Sequence, residues 1–383
     1  MNLGIYIQVP FCQTKCTYCN FHTGVVSRDR YEGYANAVCR EIETAATPDG
    51  ALADTIYVGG GTPSLLDPVD LTKILDSLRS RCGRDASEVT LEADPETISA
   101  EKARAWLAGG FNRVSMGAQS FSDRELQAAG RMHRRADIFR AAQLLRDAGM
   151  CNISMDLIAG LPHQTAESWQ SSLDELLGIR PEHISIYLLE IDDGSRLGKE
   201  SLAGGTRYSA GSIPSDDAMT DCYESGCARL AAEGYEHYEI SNWALPGRRS
   251  RHNLKYWRRE PYLGFGAGAH SFDGDRRWAN VHDSAQYVAR IEQGIAVREQ
   301  NETITPEQAL DEEFFLGLRQ LDGIDLARIE RDYDTKLRGR IGALRTRIIG
   351  LRSQGLVELE GSRLRLAPDR LTVSNEVFVE LLG

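Results

Sequence analysis

Six short apolar segments, each separated from the next by a helical pattern, constrain the fold of this chain more than any other sequence feature. The segments are Leu3–Val9, Thr55–Val58, Val89–Glu92, Arg113–Gly117, Ile153–Ile158 and Ile184–Leu189. The helical patterns between them are Tyr31–Thr44, Leu71–Arg81, Ala100–Leu107, Ile138–Asp147 and Ser168–Leu177. Apolar strands that alternate with helices are typical of a parallel sheet covered by helices. The sequence therefore predicts an α/β fold with right-handed crossovers, and the pattern alone leaves open whether the sheet is a partial barrel or an open layer.

The alternation of strands and helices is lost near Tyr238, where Gly, Arg and aromatic residues dominate. We therefore divide the chain into a core of residues 1–237, a second region of residues 238–300 and a C-terminal domain of residues 301–383. The C-terminal domain is predicted to contain a long helix over Lys336–Ser353 and a hairpin over Leu356–Leu366. Helices followed by such a hairpin are typical of a winged helix, which makes this a winged-helix-like α+β domain.

The charge of the chain limits its partners. Its formal net charge of −12 argues against bulk binding of nucleic acid. The predicted C-terminal helix nevertheless concentrates basic residues, at Lys336, Arg338, Arg340, Arg345, Arg347 and Arg352. A DNA-recognition helix is one interpretation, but in an acidic chain we favour a solvated face or a face that packs within the domain.

Neither a membrane span nor an export signal is predicted. No stretch of the sequence approaches 18 uninterrupted apolar residues, which is about the length that a membrane-spanning helix needs. The first residues lack the basic region and the long apolar core of a signal peptide. We therefore expect a cytoplasmic protein.

Three of the eight cysteines fall within eight residues, directly after the first predicted strand. Cys12, Cys16 and Cys19 offer thiolates, the ligands of iron–sulfur clusters. Three ligands on one loop can hold three irons of a cubane and leave the fourth iron open to a small molecule. A zinc site would need a fourth ligand, for which His22 is the only near residue, and the spacing matches no common zinc pattern. The sequence therefore favours a cluster, and the five scattered cysteines are predicted to be small buried residues.

Polar residues follow the later strands of the predicted sheet. A glycine-rich turn, Gly59–Pro63, comes after the second strand, and Glu92, Gln119 and Asp156 come at the ends of the third, fourth and fifth; Arg131 follows Gln119. Each of them alone fits a cap, a turn or a surface ion pair. Because ligands of parallel sheets bind at the carboxyl ends of the strands, the set together predicts one site at that end.

These motifs resemble the radical S-adenosylmethionine (SAM) superfamily, whose signature is Cys-x3-Cys-x2-Cys with an aromatic residue, here Tyr18, before the third cysteine. The resemblance implies a partial (β/α)6 barrel and a 4Fe-4S cluster that is held by Cys12, Cys16 and Cys19 and binds SAM through its open iron. It also implies a low-potential electron donor as a partner. The SAM-binding residues that it implies are Tyr6, Gly60, Gly61, Thr62, Glu92, Gln119, Arg131 and Asp156.

The middle of the chain is more specific. The segments Tyr238–Ala244, His252–Trp257 and Tyr262–Ser271 resemble the heme-chaperone branch of the oxygen-independent coproporphyrinogen III oxidase-like family, and the resemblance runs over essentially the whole chain. Dehydrogenases of this family have a fourth cysteine where this chain has Phe21. One departure from the chaperones is Gln8, where a histidine is common. The resemblance implies a protein that binds heme and transfers it to a heme-accepting protein.

Residues 248–259 have a composition that suits heme. Their six basic side chains can pair with propionates, and Tyr256 and Trp257 offer flat apolar faces. His252 or His270 can ligate iron. The residues alone fit an exposed basic loop equally well, and the resemblance favours heme bound by His252, Tyr256 and Trp257. Two alternatives are an oxygen-independent coproporphyrinogen III dehydrogenase and a radical SAM enzyme with a substrate that is not a porphyrin.

Overall fold

The computed structural model describes residues 2–46, 51–83 and 86–382. Within these ranges twelve strands form one sheet: β1 (Asn2–Val9), β2 (Leu52–Gly60), β3 (Glu88–Ala93), β4 (Arg113–Gln119), β5 (Ile153–Ala159), β6 (His183–Leu188), β7 (Glu236–Glu239), β8 (Asn242–Ala244), β9 (Tyr262–Phe265), β10 (His270–Phe272), β11 (Arg276–Asn280) and β12 (Arg298–Thr303). Three more strands form a small second sheet: β13 (Ile324–Asp325), β14 (Val357–Glu360) and β15 (Arg363–Leu366).

The helices of the same ranges are α1 (Arg30–Thr44), α2 (Pro68–Cys82), α3 (Ala100–Gly109), α4 (Asp123–Ala128), α5 (Arg135–Asp147), α6 (Ala166–Ile179), α7 (Arg196–Leu202), α8 (Asp216–Ala232), α9 (Arg251–Trp257), α10 (Ser284–Glu292), α11 (Pro306–Gly317), α12 (Leu326–Ser353) and α13 (Ser374–Leu382). None of them is long and apolar enough to cross a bilayer.

The six strands β1 to β6 lie side by side in chain order and are all parallel. They correspond to the six predicted strands, and the five predicted helices lie between them in the chain. The partial (β/α)6 barrel is therefore confirmed. β9 adds to β1 in parallel, and β10 to β12 continue in antiparallel order; β8 and β7 extend the sheet beyond β6. The predicted boundary at residues 237 and 238 falls inside β7, and the second region contributes strands to the same sheet.

The parallel strands alternate between apolar and polar residues. In β1, Ile5, Ile7 and Val9 are fully buried in the main hydrophobic core. Successive side chains of a strand point to opposite faces, so Tyr6 and Gln8 point to the other face, which lines the inside of the barrel. A polar interior is a departure from the continuous apolar strands that buried parallel sheets usually have.

The C-terminal part has the predicted order of elements. α12 bends at Leu337, whose φ of −134° and ψ of 35° are not helical, so the predicted helix from Lys336 is its second half. The hairpin of β14 and β15 turns at Gly361, whose φ of +60° favours glycine. These elements, with α11 before them, form a winged-helix-like arrangement.

The basic residues of α12 are used inside the C-terminal part. Arg340 pairs with Asp311, and Arg345 pairs with Glu330 through two hydrogen bonds of 2.7 Å. Arg347 donates to a carbonyl oxygen near the end of α13. These contacts support the interpretation of a packing face rather than a DNA-recognition helix.

Candidate functional site

The loop after β1 places the three predicted cluster ligands at the carboxyl end of the parallel strands. Cys12, Cys16 and Cys19 are free thiols and half-buried. The backbone fixes the loop, because the Cys12 amide donates to the Gly24 carbonyl (3.1 Å) and the Thr17 amide to the Ala129 carbonyl (3.0 Å). Burial raises the pKa of the Cys12 and Cys19 thiols. Coordination of the thiolates to a metal group would offset the free-energy cost of ionising these buried thiols.

The donor set fits a cluster better than a single ion. Among the residues that the structure describes, no three Cys, His, Asp or Glu side chains converge on one metal position. A tetrahedral zinc ion requires such convergence, whereas a cubane binds its cysteines at separate irons. His22, the fourth ligand that zinc would need, lies against His282 with ring centroids 4.6 Å apart. The zinc alternative therefore has no support from the geometry.

The five scattered cysteines differ in exposure. Cys82 and Cys222 are buried as predicted, whereas Cys39 and Cys227 are only partly buried. Cys151 is exposed, so the prediction of burial is wrong for it. Cys151 lies two residues before the start of β5 rather than inside the strand, which leaves its side chain outside the core.

The glycine-rich turn after β2 packs directly on the cysteine loop. The Gly61 amide donates to the Val9 carbonyl (2.8 Å), and the Thr62 amide donates to the Phe11 carbonyl (2.7 Å). A Cβ on Gly61 would lie 2.5 Å from the Phe11 carbonyl oxygen, and Gly60 has a φ of +113° that favours glycine. Glycine is therefore required here by close approach of two backbones, which places the turn beside the predicted cluster.

Glu92 ends β3 with its carboxylate turned toward this turn. It accepts hydrogen bonds from the Tyr57 hydroxyl (2.7 Å) and the Gly60 amide (2.9 Å). Removal from water, together with the nearby carboxylates of Asp156 and Asp94, raises the pKa of Glu92 to about 7. Burial likewise raises the pKa of Asp156 to about 6. Two carboxyl groups that resist ionisation inside one barrel provide a place where a cationic ligand would be stabilised.

Arg131 lies between the cysteine loop and the end of β3. Its Nη1 is 3.5 Å from the Cys16 sulfur, and its Nη2 pairs with Asp94. The Thr62 hydroxyl donates to the other oxygen of Asp94 at 3.0 Å, and Arg131 Nε is buried without a hydrogen-bond partner. Sequence reasoning did not include Asp94 in the site, although it stands two residues after Glu92. Only its contacts with Arg131 and Thr62 distinguish it from an ordinary loop residue.

Gln119 ends β4 in a strained backbone conformation. Its φ of 66° lies in the left-handed region, which residues other than glycine seldom occupy. Such strain persists where the surrounding structure holds it, and it is concentrated at functional sites. The strain supports the prediction that Gln119 belongs to the site.

The predicted heme segment lies at the opposite end of the barrel. His252 is the second residue of α9, and its amide donates to Glu88, the first residue of β3 (2.9 Å). Its ring nitrogens are hydrogen-bonded to the hydroxyls of Thr55 (3.0 Å) and Tyr256 (2.8 Å). Burial lowers the pKa of His252 to about 3. The ring is therefore neutral, and neither nitrogen is free for a metal in this conformation.

Three of the six basic side chains of residues 248–259 form ion pairs with carboxylates. Lys255 contacts Asp54 (2.9 Å) and Glu260 (3.1 Å). Arg249 pairs with carboxylates of Glu236 and Asp322, and Arg259 pairs with Glu312. Trp257 packs under the Arg319 guanidinium, 4.7 Å from its ring centroid. Residues 248–259 are therefore only partly an exposed basic segment. Arg249, Lys255 and Arg259 fasten α9 to the barrel and to the C-terminal part, whereas Arg248, Arg251 and Arg258 are exposed.

Comparisons with known proteins agree with this geometry. The model of the radical SAM superfamily matches residues 6–176, and the model of the HemN C-terminal domain matches residues 304–369. The heme chaperone HemW of Bacillus subtilis is 35% identical over 382 residues, which cover 99% of this chain and 98% of the relative. The chain belongs to the HemW family. The HemW of Lactococcus lactis is 30% identical over 98% of this chain and 96% of its own.

The solved structure of coproporphyrinogen III oxidase (HemN) from Escherichia coli has the same fold. Its TM-score is 0.84 with 23% sequence identity, and the match covers 99% of this chain and 89% of that one. The likeness extends beyond the radical SAM core to the C-terminal part, so the HemW and HemN folds agree over nearly the whole length.

Membership in the radical SAM superfamily implies a 4Fe-4S cluster and SAM. The free thiols of the cysteine loop fit the cluster, and Glu92 and Asp156 fit the positive charges of SAM. When bound, the cluster supplies an open iron that can hold the amino-acid end of SAM. In this member of the HemW family, Tyr6 lies inside the barrel, on the inner face of β1. Its hydroxyl donates to Gln8 (2.6 Å), and its ring stacks on Tyr57 at 6.2 Å between centroids.

Proposed function

We propose that this chain is a heme chaperone that binds heme, transfers it to a heme-accepting protein and carries a SAM-binding 4Fe-4S cluster. The observation that carries the proposal is its 35% identity, over 99% of its length, to a protein of that function. Phe21 adds support, because an exposed phenyl ring (66% of its surface) stands where the related dehydrogenases have a fourth cysteine. We further propose Cys12, Cys16 and Cys19 as the cluster ligands, and the eight predicted SAM residues as SAM ligands.

We propose that heme is bound by His252, Tyr256 and Trp257 in a state in which the side chains of His252 and Tyr256 have turned from their closed positions while the backbone of α9 stays in place. Opening requires the His252 ring to leave the hydroxyls of Thr55 and Tyr256. A hydrogen bond contributes about 0.5–1.5 kcal/mol, so the two together cost about 1–3 kcal/mol. This is small beside the roughly 8–12 kcal/mol of a micromolar to nanomolar complex. The closed side-chain positions therefore lower heme affinity without preventing binding.

The test is an anaerobic heme titration followed through the Soret band. Wild-type protein should bind about one heme per chain, with or without the cluster. His252→Ala combined with Trp257→Ala should weaken heme binding and leave iron–sulfur content and SAM binding unchanged. His270→Ala tests the other histidine named above as an iron ligand and should leave heme binding unchanged; its exposed imidazole lies 6.5 Å from that of His282, between ring centroids.

A second variant tests the closed side-chain positions themselves. Tyr256→Phe keeps the flat ring but removes the hydroxyl that holds His252, so heme affinity should rise about three- to tenfold, as expected for one hydrogen bond. Heme affinity that is unchanged in both variants would contradict the assignment of α9. Absence of heme binding by the wild type, together with conversion of coproporphyrinogen III, would instead support the dehydrogenase.

A further inference from the structure

A basic groove of about 570 Å³ lies behind the cysteine loop, on the outer side of the site described above. The groove brings together cations from three separate segments, Lys15 of the cysteine loop, Arg124 of α4 and Arg196 of α7, beside the imidazole of His163 after β5. Tyr208 contributes an exposed aromatic ring, and no acidic side chain lines the groove. The groove is therefore a surface of one charge sign on a chain whose net charge is −12.

The cations of the groove are not neutralised by carboxylates within the described ranges of the chain. Arg124 Nη2 lies 3.1 Å from the His163 ring, Arg196 donates to the Lys15 carbonyl (3.4 Å), and Lys15 Nζ donates to the Phe21 carbonyl (3.1 Å). Clustered charges of one sign attract and orient a partner of the opposite sign.

We infer that this groove, lined by Lys15, Arg124, His163 and Arg196, is the docking surface for a small acidic electron-transfer protein. Its wall is the back of the cysteine loop, because a Cβ on Gly130, which lines the groove, would lie 3.7 Å from the Cys16 Cα. Tyr208 adds the kind of aromatic contact that is enriched in protein interfaces. Only the backbone of the cysteine loop would separate a partner that docks here from the cysteine side chains.

The inference rests on the proposed cluster, since an electron donor serves this chain only when the cysteines hold a redox group. One electron leaves the reduced flavin or iron–sulfur group of the donor and enters the group held by Cys12, Cys16 and Cys19. No other co-reactant is needed.

The test measures the affinity of the reconstituted protein for reduced flavodoxin, used as a small acidic flavoprotein, at about 50 mM and about 300 mM salt. Affinity should be stronger at low salt. Arg124→Glu combined with Arg196→Glu should reduce it at least tenfold and remove most of the salt dependence. Arg338→Glu, at a side chain of α12 that is 82% exposed, is the matched charge reversal and should leave the affinity unchanged.

Dithionite separates the two proposals, because a small reductant needs no docking surface. Iron content and reduction by dithionite should be the same in the double variant and the wild type. Unchanged flavodoxin affinity in the double variant overturns the docking surface and leaves the cluster standing, whereas a wild type without a reducible cluster refutes the proposed function. Tight binding of single-stranded RNA that the double variant loses, without flavodoxin binding, would show a nucleic-acid surface and overturn the inference.

Discussion

Replacing Glu92 with Gln should weaken SAM binding and, at the same time, make the protein more stable above neutral pH. The change keeps the shape of the side chain and removes its charge. The amide oxygen of Gln can accept from the Gly60 amide, and the Tyr57 hydroxyl can turn to accept from the new NH₂ group, so both contacts of Glu92 survive. If the role of the buried carboxylate is to bind a cation, removing its charge should weaken binding and increase stability.

The size of both effects follows from the environment of the carboxylate. The pKa of Glu92 rises from 4.5 to about 7, which corresponds to about 3 kcal/mol of resistance to ionisation. Because the Glu92 side chain is only partly buried, solvent screening reduces this figure, and we expect a measured stability difference of about 2 kcal/mol. A charge-assisted hydrogen bond to SAM contributes roughly 1.5–3 kcal/mol, so SAM affinity should fall about ten- to a hundredfold.

The sign of the pH dependence is fixed by linkage. Above pH 4.5 the unfolded chain loses the Glu92 proton while the folded protein keeps it until about pH 7. The folded state binds more protons in that window, so this group's contribution to stability falls as pH rises through it. The wild type should therefore lose about 2 kcal/mol relative to Glu92→Gln between about pH 5 and pH 8.

Urea denaturation of SAM-free protein at both pH values measures the stability difference, and anaerobic calorimetry measures SAM affinity. Because Glu92 ionises near pH 7 and the Gln side chain does not ionise, wild-type SAM affinity should rise from about pH 6 to pH 8. This rise should be smaller in the variant. The reasoning would be refuted by a variant whose stability relative to the wild type does not change with pH, or by unchanged SAM affinity.

Three further predictions concern the same end of the barrel. Cys16→Ala should abolish the broad visible absorption of reconstituted protein, whereas Cys39→Ala should keep about four irons per chain; full iron in the first variant would contradict the ligand assignment. Gly61→Ala should cost about 1–3 kcal/mol in urea denaturation and lower iron content, because its Cβ presses on backbone. Gly33→Ala, where nothing lies within 4 Å, is its control and should not lower stability. Asp156→Asn should lower SAM affinity about ten- to a hundredfold with iron retained, and loss of iron would indicate a structural role.

Local patterns in the sequence were sufficient for the six parallel strands, whereas the barrel was implied only by the resemblance to the radical SAM superfamily. The six strands were predicted with boundaries close to those observed, because each apolar run is bounded by turn residues and followed by a helix. Their neighbours in the sheet then follow from chain order, since each crossover returns to the adjacent position. The cysteine spacing and the polar residues at or near the strand ends were enough to predict one site, although Asp156 lies in the middle of β5 rather than at its end.

The polar interior of the barrel is also indicated in the sequence, by polar residues that alternate with the apolar ones in the strands. In β4 and β5, polar residues recur at every second position, at Arg113 and Ser115 and at Ser154 and Asp156. A period of two in a parallel strand means that one face is not packed against apolar helices. Reading that period would have indicated a barrel with a polar lumen rather than an open layer.

The sequence by itself determined the alternation of strands and helices in the core and the cysteine loop, because both depend on residues close together in the chain, and its motifs were sufficient to indicate the family. Tertiary structure alone decided that α9 closes the far end of the barrel, since His252 meets Thr55 and Glu88 across 197 and 164 positions. It alone also decided that Asp94 pairs with Arg131 and that three of the six cations of residues 248–259 pair with carboxylates. Long-range contacts of this kind depend on where the folded strands and helices bring side chains together, and no local pattern encodes them.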